Sequence, residues 1–261
     1  TQVQEKVAFA VNRRGWTDFP PSVGLMGLDK DHTTSYLNWF PQWRMPDMMH
    51  EEDLNGLNAT SIRDIMFGVG KPISFIRGVV PSSTYDFLLE LKSEPFWQNL
   101  CAEHAFVAAY KSSWASAPYA PTFVTVDAVV IQDGHVLMVE RGANPGKGLL
   151  ALPGGFVNAN ELLKDAVIRE LREETRLKVA PNQLRGSIIA REIFDAPDRS
   201  LRGRTITQAT LFNLASTADG LAKVKGGDDA AKAMWIPLSA LDRSKIFEDH
   251  FHIIQKMTSL L

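Results

Sequence analysis

Soft and borderline metal ligands are scarce in this 261-residue chain: one cysteine, Cys101, and six histidines scattered at 32, 50, 104, 135, 250 and 252. A lone cysteine excludes an intramolecular disulfide framework, and histidines so dispersed argue against a zinc cluster. Long apolar runs are absent too, none approaching the ~18 residues that span a bilayer. No secretory leader is visible at the start. The expected location is therefore cytoplasmic, with no membrane partner. Charge of either sign is not in excess: 28 Lys and Arg face 30 Asp and Glu, a formal net charge of −2, which offers no pull toward nucleic acid. Internal repeats and low-complexity segments are missing as well. What remains is 45% hydrophobic, enough to fill one large core or two modest ones. The first residue is Thr1, so the expectation is a processed or partial product.

What the chain does have is concentrated in residues 155–177, which read G-x5-E-x7-R-E-L-x-E-E-x-R-L. Glu170, Glu173 and Glu174 recur at spacings of three and four, which stack three carboxylates on one face of a helix. Unaided, such charges repel at every turn. A hard divalent cation, Mg2+ or Mn2+, takes carboxylate oxygens and in turn grips substrate phosphates, so the pattern points to a metal-phosphate site. The predicted metal ligands are Glu170, Glu173 and Glu174. The turn Leu152-Pro153-Gly154-Gly155-Phe156 adds a backbone carbonyl, that of Gly155. Arg169 precedes Glu173 by four residues and can pin it by a charge-assisted bond. Leu163, Val167 and Leu171 recur every four residues and predict a core-facing stripe. Asn158, three residues before Glu161, predicts a capping-box-like helix start.

These residues resemble the signature of the Nudix hydrolases, G-x5-E-x7-R-E-U-x-E-E-x-G-U with U a bulky aliphatic. Gly155, Glu161, Arg169, Glu170, Leu171, Glu173, Glu174 and Leu177 match, and Arg176 stands where the family has glycine. A non-glycine residue at a left-handed helix terminus costs roughly 1 kcal/mol. The departure touches helix termination and not the ligands. The resemblance implies an α/β/α sandwich, a Mg2+ (or Mn2+) cofactor, and hydrolysis of a nucleoside diphosphate derivative by a metal-polarised water. Glu170, Glu173, Glu174 and Arg169 would be the catalytic residues. A general base would be one of these glutamates, or one of Glu192, Asp195, Asp228, Asp229 and Glu248.

Residues 1–112 alternate turn-rich stretches with helical ones such as 96–111. A proline-bearing linker over 113–121 follows, and the third part is 122–261. In that last part strands are predicted over 122–130 and 135–140, joined by a Gln132-Asp133-Gly134 turn, and near 187–194 and 205–214, with a closing helix over 247–261. The first part carries a second resemblance. Leu57-Asn58-Ala59-Thr60-Ser61-Ile62-Arg63 is similar to the I-S-x-T-x-I-R motif of nucleotidyltransferases, in which a capped helix and an arginine hold a triphosphate. Gly27-Leu28-Asp29-Lys30-Asp31 and Phe40-Pro41-Gln42-Trp43 look like the nicotinamide mononucleotide adenylyltransferase half of enzymes that fuse it to a Nudix domain. The expected fold class is thus α/β, a Nudix sandwich preceded by a partial, Rossmann-type nucleotidyltransferase-like domain. Thr60, Ser61 and Arg63 would be its vestigial nucleotide-binding residues. The H-x-G-H element of those transferases is absent, and its strand and helix are expected before Thr1. Adenylyltransfer by this chain is therefore not expected.

For the substrate, Arg199, Arg202 and Arg204 bring three guanidiniums to one loop, and Arg141 flanks the loop before the signature. Guanidinium forks suit phosphate and carboxylate. Phe156 and Phe194 are candidates to stack a base, with core packing the plainer use of each. The fusion-enzyme resemblance favours ADP-ribose, cleaved to AMP and ribose 5-phosphate in NAD metabolism. A non-catalytic ADP-ribose-sensing regulator is the alternative from another class. Its relatives have an eroded signature and a winged DNA-binding helix pair, whereas here the carboxylates are intact and a short tail follows residue 247. A hydrolase for another dinucleotide is the third reading. The partner expected is a small nucleotide; the oligomeric state is left open, a homo-oligomer included.

Overall fold

The structure, a computed structural model, describes residues 2–13, 24, 28–29, 43, 49–50, 59–68, 72–227 and 230–261. It divides into two compact units, Thr1–Glu90 and Leu91–Leu261. None of the described helices is long and apolar enough to cross a membrane.

In the first unit, α1 is Gln2–Arg13, and two short strands, β1 (Leu28–Asp29) and β2 (Met49–His50), pair in parallel. Helix α2, Ala59–Phe67, carries Thr60, Ser61 and Arg63, all exposed on its surface. Helix α3 is Ser82–Leu91. Most of the Gly27–Asp31 and Phe40–Trp43 motifs, with Leu57 and Asn58, lie outside the described residues.

The second unit opens with α4, Trp97–Ser113. Its last turns pack on the sheet: the Tyr110 and Trp114 rings lie 5.7 and 5.4 Å from that of Phe123. The helix before the proline-bearing stretch therefore belongs with the sheet that comes after it. Strand β3 (Phe123–Gln132) is rich in β-branched residues and is buried from Thr125 onward, as a central strand should be. Asp133 (φ 47°) and Gly134 (φ 71°) both take positive φ, the demand of the tight turn that leads into β4, His135–Arg141. Then come β5 (Leu150–Ala151), β6 (Gly154–Phe156), α5 (Leu163–Thr175) and α6 (Pro181–Gly186). Strands β7 (Ile188–Phe194), β8 (Thr205–Asn213) and β9 (Ala230–Pro237) and helix α7 (His250–Thr258) complete the unit.

The strands form one mixed sheet in the order β5-β4-β3-β8-β7, with β6 added to β3 and β9 to β4. Side chains alternate between its faces. Val126, Ala128 and Val130 of β3 pack under Ala166, Val167, Ile168 and Leu171 of α5. Val129 and Ile131 face the other way, toward Ile253, Ile254 and Met257 of α7. The result is the expected α/β/α sandwich, with Val167 and Leu171 fully buried and Leu163 partly so.

Beyond the short β5, β6 and α6, which the sequence does not predict, three elements of the second unit differ from expectation. β9 is not predicted, because its alanine-rich run has no clean alternation of burial. The closing helix starts at His250 and not at 247, since Phe247 N–H donates to the Leu150 carbonyl at 2.8 Å and draws residues 246–247 to the sheet edge. Helix α5 starts at Leu163 behind Leu162, so Asn158 does not cap it. The Asn158–Glu161 bond exists at 3.1 Å, but Glu161 is held in the loop by Arg169.

At the other end, Arg176 adopts the left-handed conformation (φ 45°, ψ 32°) that the family's glycine would take freely. Its N–H bonds to the Arg172 carbonyl at 2.9 Å, while the N–H groups of Lys225 and Gly227 satisfy the carbonyls of Thr175 and Glu174. The helix therefore stops where the signature requires. Arg176→Gly is expected to raise stability by roughly 0.5–1 kcal/mol, Cβ strain outweighing the added chain entropy, and to leave turnover unchanged. Urea unfolding midpoints and a turnover assay check this.

Candidate active site

The acidic face of α5 and strand β6 line a cleft of about 400 Å3. Glu170, Glu173 and Glu174 line it, as the signature predicts, with Arg169, Gly155 and Phe156 beside them. Arg169 is the organiser. Its guanidinium forks onto Glu161 with two 2.8 Å bonds, and its Nη1 reaches Glu170 at 2.7 Å and Glu173 at 2.9 Å. This holds the Glu161 carboxyl below its usual range and the guanidinium firmly protonated.

Gly154 and Gly155 are dictated by closeness. A Cβ on Gly154 would lie 2.2 Å from the Val126 carbonyl, and one on Gly155 would lie 2.6 Å from Glu170 Oε1. The backbone can thus run flush against the carboxylates. Glu174 accepts the Gly154 N–H at 3.0 Å. Burial pushes its carboxyl up to about 8, with Glu170 and Asp127 adding like-charge repulsion against the Gly154 bond and Arg141. Burial also raises Glu170, against the pull of Arg169.

Two guanidiniums share the cleft with the acidic face. Arg141 lies over the Phe247 ring at 4.1 Å, and Arg202 over Phe156 at 5.0 Å. Burial, and then the like charge of Arg202, lower the Arg141 pKa. Arg202 Nε is buried with no hydrogen-bond partner, a donor the protein itself leaves unsatisfied. The other two predicted arginines are held by partners: Arg199 lines the cleft but is tied into its wall, and Arg204 lies outside it. Arg199 is buried in the wall, forked onto Asp249 at 2.9 and 2.9 Å. Arg204 bonds the Asp195 backbone outside the cleft. Phe156 is exposed toward the cleft and meets Phe123 edge-on, while Phe194 packs partly into the core. Of the proposed bases, Glu248 lines the cleft; Glu192 and Asp195 do not, and Asp228 and Asp229 lie outside the described residues.

Two cleft residues escape the sequence reading. Asp127 is buried beneath the glycine turn, accepting the Thr207 hydroxyl at 2.6 Å. His250 is buried too, its Nδ1 accepting the Leu152 N–H at 2.9 Å. The signal for Asp127 is a lone acid inside an apolar strand; His250 carries none.

Among the described residues no three acidic, His or Cys side chains converge as a ready-made metal cage. Arg169 holds Glu170 and Glu173 from the side, and Glu174 is engaged with Gly154. The donor chemistry nevertheless fits a hard cation. It is all oxygen, and two of the carboxyls sit where burial and mutual repulsion make a compensating positive charge favourable.

A mixed-sheet α/β/α sandwich whose helix glutamates share a cleft with arginines has the donor set a phosphate-handling enzyme needs. Residues 121–257 match the NUDIX domain, and the chain belongs to that family. It is 35% identical over 132 residues to the ADP-ribose pyrophosphatase of Methanocaldococcus jannaschii, covering 49% of this chain and 72% of that protein. The phosphatase NudJ of Escherichia coli K12 is 39% identical over 77 residues, 30% of this chain and 47% of NudJ. A crystal structure of the bifunctional NMN adenylyltransferase/ADP ribose pyrophosphatase of Francisella tularensis, complexed with AMP and a Mn ion, resembles the chain with a TM-score of 0.82. Its identity is 33%, covering 98% of this chain and 74% of that one.

Proposed function

We propose that the chain hydrolyses the pyrophosphate of ADP-ribose to AMP and ribose 5-phosphate, with Mg2+. The observation that carries this is the shared cleft of the α5 carboxylates and the Arg141–Arg202 pair, one of whose nitrogens is buried without a partner. The identity to an ADP-ribose pyrophosphatase names the substrate. Glu170, Glu173, Glu174 and the Gly155 carbonyl would hold the cation. A cation bound there supplies charge neutralisation and acidifies the attacking water. Arg141 and Arg202 bind the pyrophosphate oxygens and orient the bridge for attack. The water oxygen bonds to one phosphorus, the bridging P–O bond breaks, and the water's proton passes to a cleft carboxylate. We assign this role to Glu248, the one of the loop carboxylates among the described residues that lines the cleft. Arg169 keeps the glutamates in register. No nucleotidyl transfer is assigned to residues 1–112, which carry no H-x-G-H pair.

Incubation with ADP-ribose and Mg2+ is expected to yield AMP and ribose 5-phosphate by chromatography, and chelator is expected to abolish both. Saturable binding of ADP-ribose without AMP would replace the hydrolase by a sensor. Neither binding nor cleavage would remove ADP-ribose as the substrate.

A further inference from the structure

We propose that Glu103, on a helix that precedes the family-matched residues, is a positioning residue for the cleft: it holds the 142–148 loop and, through it, Arg141. Its Oε2 accepts the Gly146 N–H at 3.2 Å. Gly146 takes φ +73°, and a Cβ there would lie 2.3 Å from Phe247 Cδ2, so this backbone lies flat against the ring. The neighbouring Pro145 carbonyl accepts Arg141 Nε at 2.8 Å. Arg141 also exchanges backbone bonds with the loop's far end, its carbonyl accepting Gly148 N–H and its N–H donating to Leu149, each at 2.9 Å. The guanidinium, stacked 4.1 Å from the centre of the same Phe247 ring, is thereby fixed at Nε. Its Nη groups are left for a ligand in the cleft that Arg141 lines.

Glu103 has the rigidity this role needs. Tyr110 follows it by seven residues, two helical turns, and so shares its face of α4. Tyr110 is anchored on Phe123, and Phe123 on Phe156. One helix face therefore touches both the sheet under the cleft and the loop above it. A carboxylate accepting a backbone N–H makes a charge-assisted bond, stronger than a neutral one. Position on a rigid element matters because a substrate-orienting arginine acts through geometry.

The inference rests on the hydrolase reading only for its kinetic arm, and the test separates the two. The full chain, Glu103→Ala and Glu103→Gln would be compared by amide hydrogen exchange over residues 142–149 and by steady-state kinetics with ADP-ribose and Mg2+. Glu103→Ala is expected to speed exchange in the loop with β3 and β4 unchanged. It should raise KM roughly three- to tenfold with kcat within about twofold. Glu103→Gln, which keeps the acceptor, is expected to restore most of both. Unchanged loop exchange in Glu103→Ala overturns the assignment, as does lost protection spreading into β3 and β4, or an equal KM rise in both variants. A wild-type chain that forms no AMP overturns the hydrolase reading instead, and the exchange data alone then decide the role of Glu103.

Discussion

Glu174→Gln is expected to lower turnover by at least roughly a hundredfold while making the metal-free protein no less stable. Glutamine has nearly the same volume, and its oxygen can still accept the Gly154 N–H that Glu174 takes at 3.0 Å. What disappears is the charge, which is what a cation would bind and what burial disfavours. The pH dependence has a definite sign. The folded carboxyl titrates near 8 and an ordinary one near 4.5, so between those values the metal-free folded protein keeps a proton that the unfolded chain has lost. Metal-free stability from this group is full below about 4.5 and is lost as pH rises through about 8. Glu174→Gln should flatten that fall. Added Mg2+ should raise the wild-type unfolding temperature more at pH 8 than at pH 6, because it no longer has to displace the proton. Calorimetric scans across pH, with chelator and with Mg2+, measure both. A variant with wild-type turnover would remove Glu174 from the site.

Gly155→Ala is expected to separate activity from folding. The new Cβ would fall 2.6–2.8 Å from the Glu170 carboxyl atoms, and a side-chain end can swing away at small cost. The fold should survive with its unfolding temperature within a few degrees, but Glu170 is driven out of register with Arg169 and Glu174. A misplacement of about 1 Å at a catalytic group costs on the order of a hundredfold, and that is the loss expected in turnover. Gly154→Ala is the control. Its Cβ would meet the Val126 backbone carbonyl at 2.2 Å, which cannot swing aside, so that variant should unfold far more easily. Equal unfolding temperatures for the two variants, or full activity in Gly155→Ala, would contradict these roles for the two glycines.

The acidic helix was legible because helical spacing is a local property. Glu170, Glu173 and Glu174 share a face by periodicity alone, and the Val167–Leu171 stripe assigns the opposite face to the core. The β3–β4 hairpin was legible for the same reason, its turn chemistry standing at Asp133 and Gly134. The arginine loop was less so. Composition marks Arg199, Arg202 and Arg204 alike, yet the Asp195 backbone takes Arg204, Asp249 ties Arg199 into the cleft wall, and Arg202 lines the cleft over Phe156.

By itself the sequence determined the α5 carboxylate face, the close-packed glycine turn, the apolar central strand and the class of chemistry they serve. Each follows from spacing within some twenty residues, where side-chain direction is set by the backbone repeat. Tertiary structure alone decided the rest. It brought Asp127 of β3 and His250 of α7 to the cleft and put Glu103 of α4 against the Gly146 loop. It also raised the Glu174 carboxyl and let Arg176 end a helix without glycine. These depend on which strands pair and which faces are buried, and such contacts join residues too far apart in the chain for any local pattern to record.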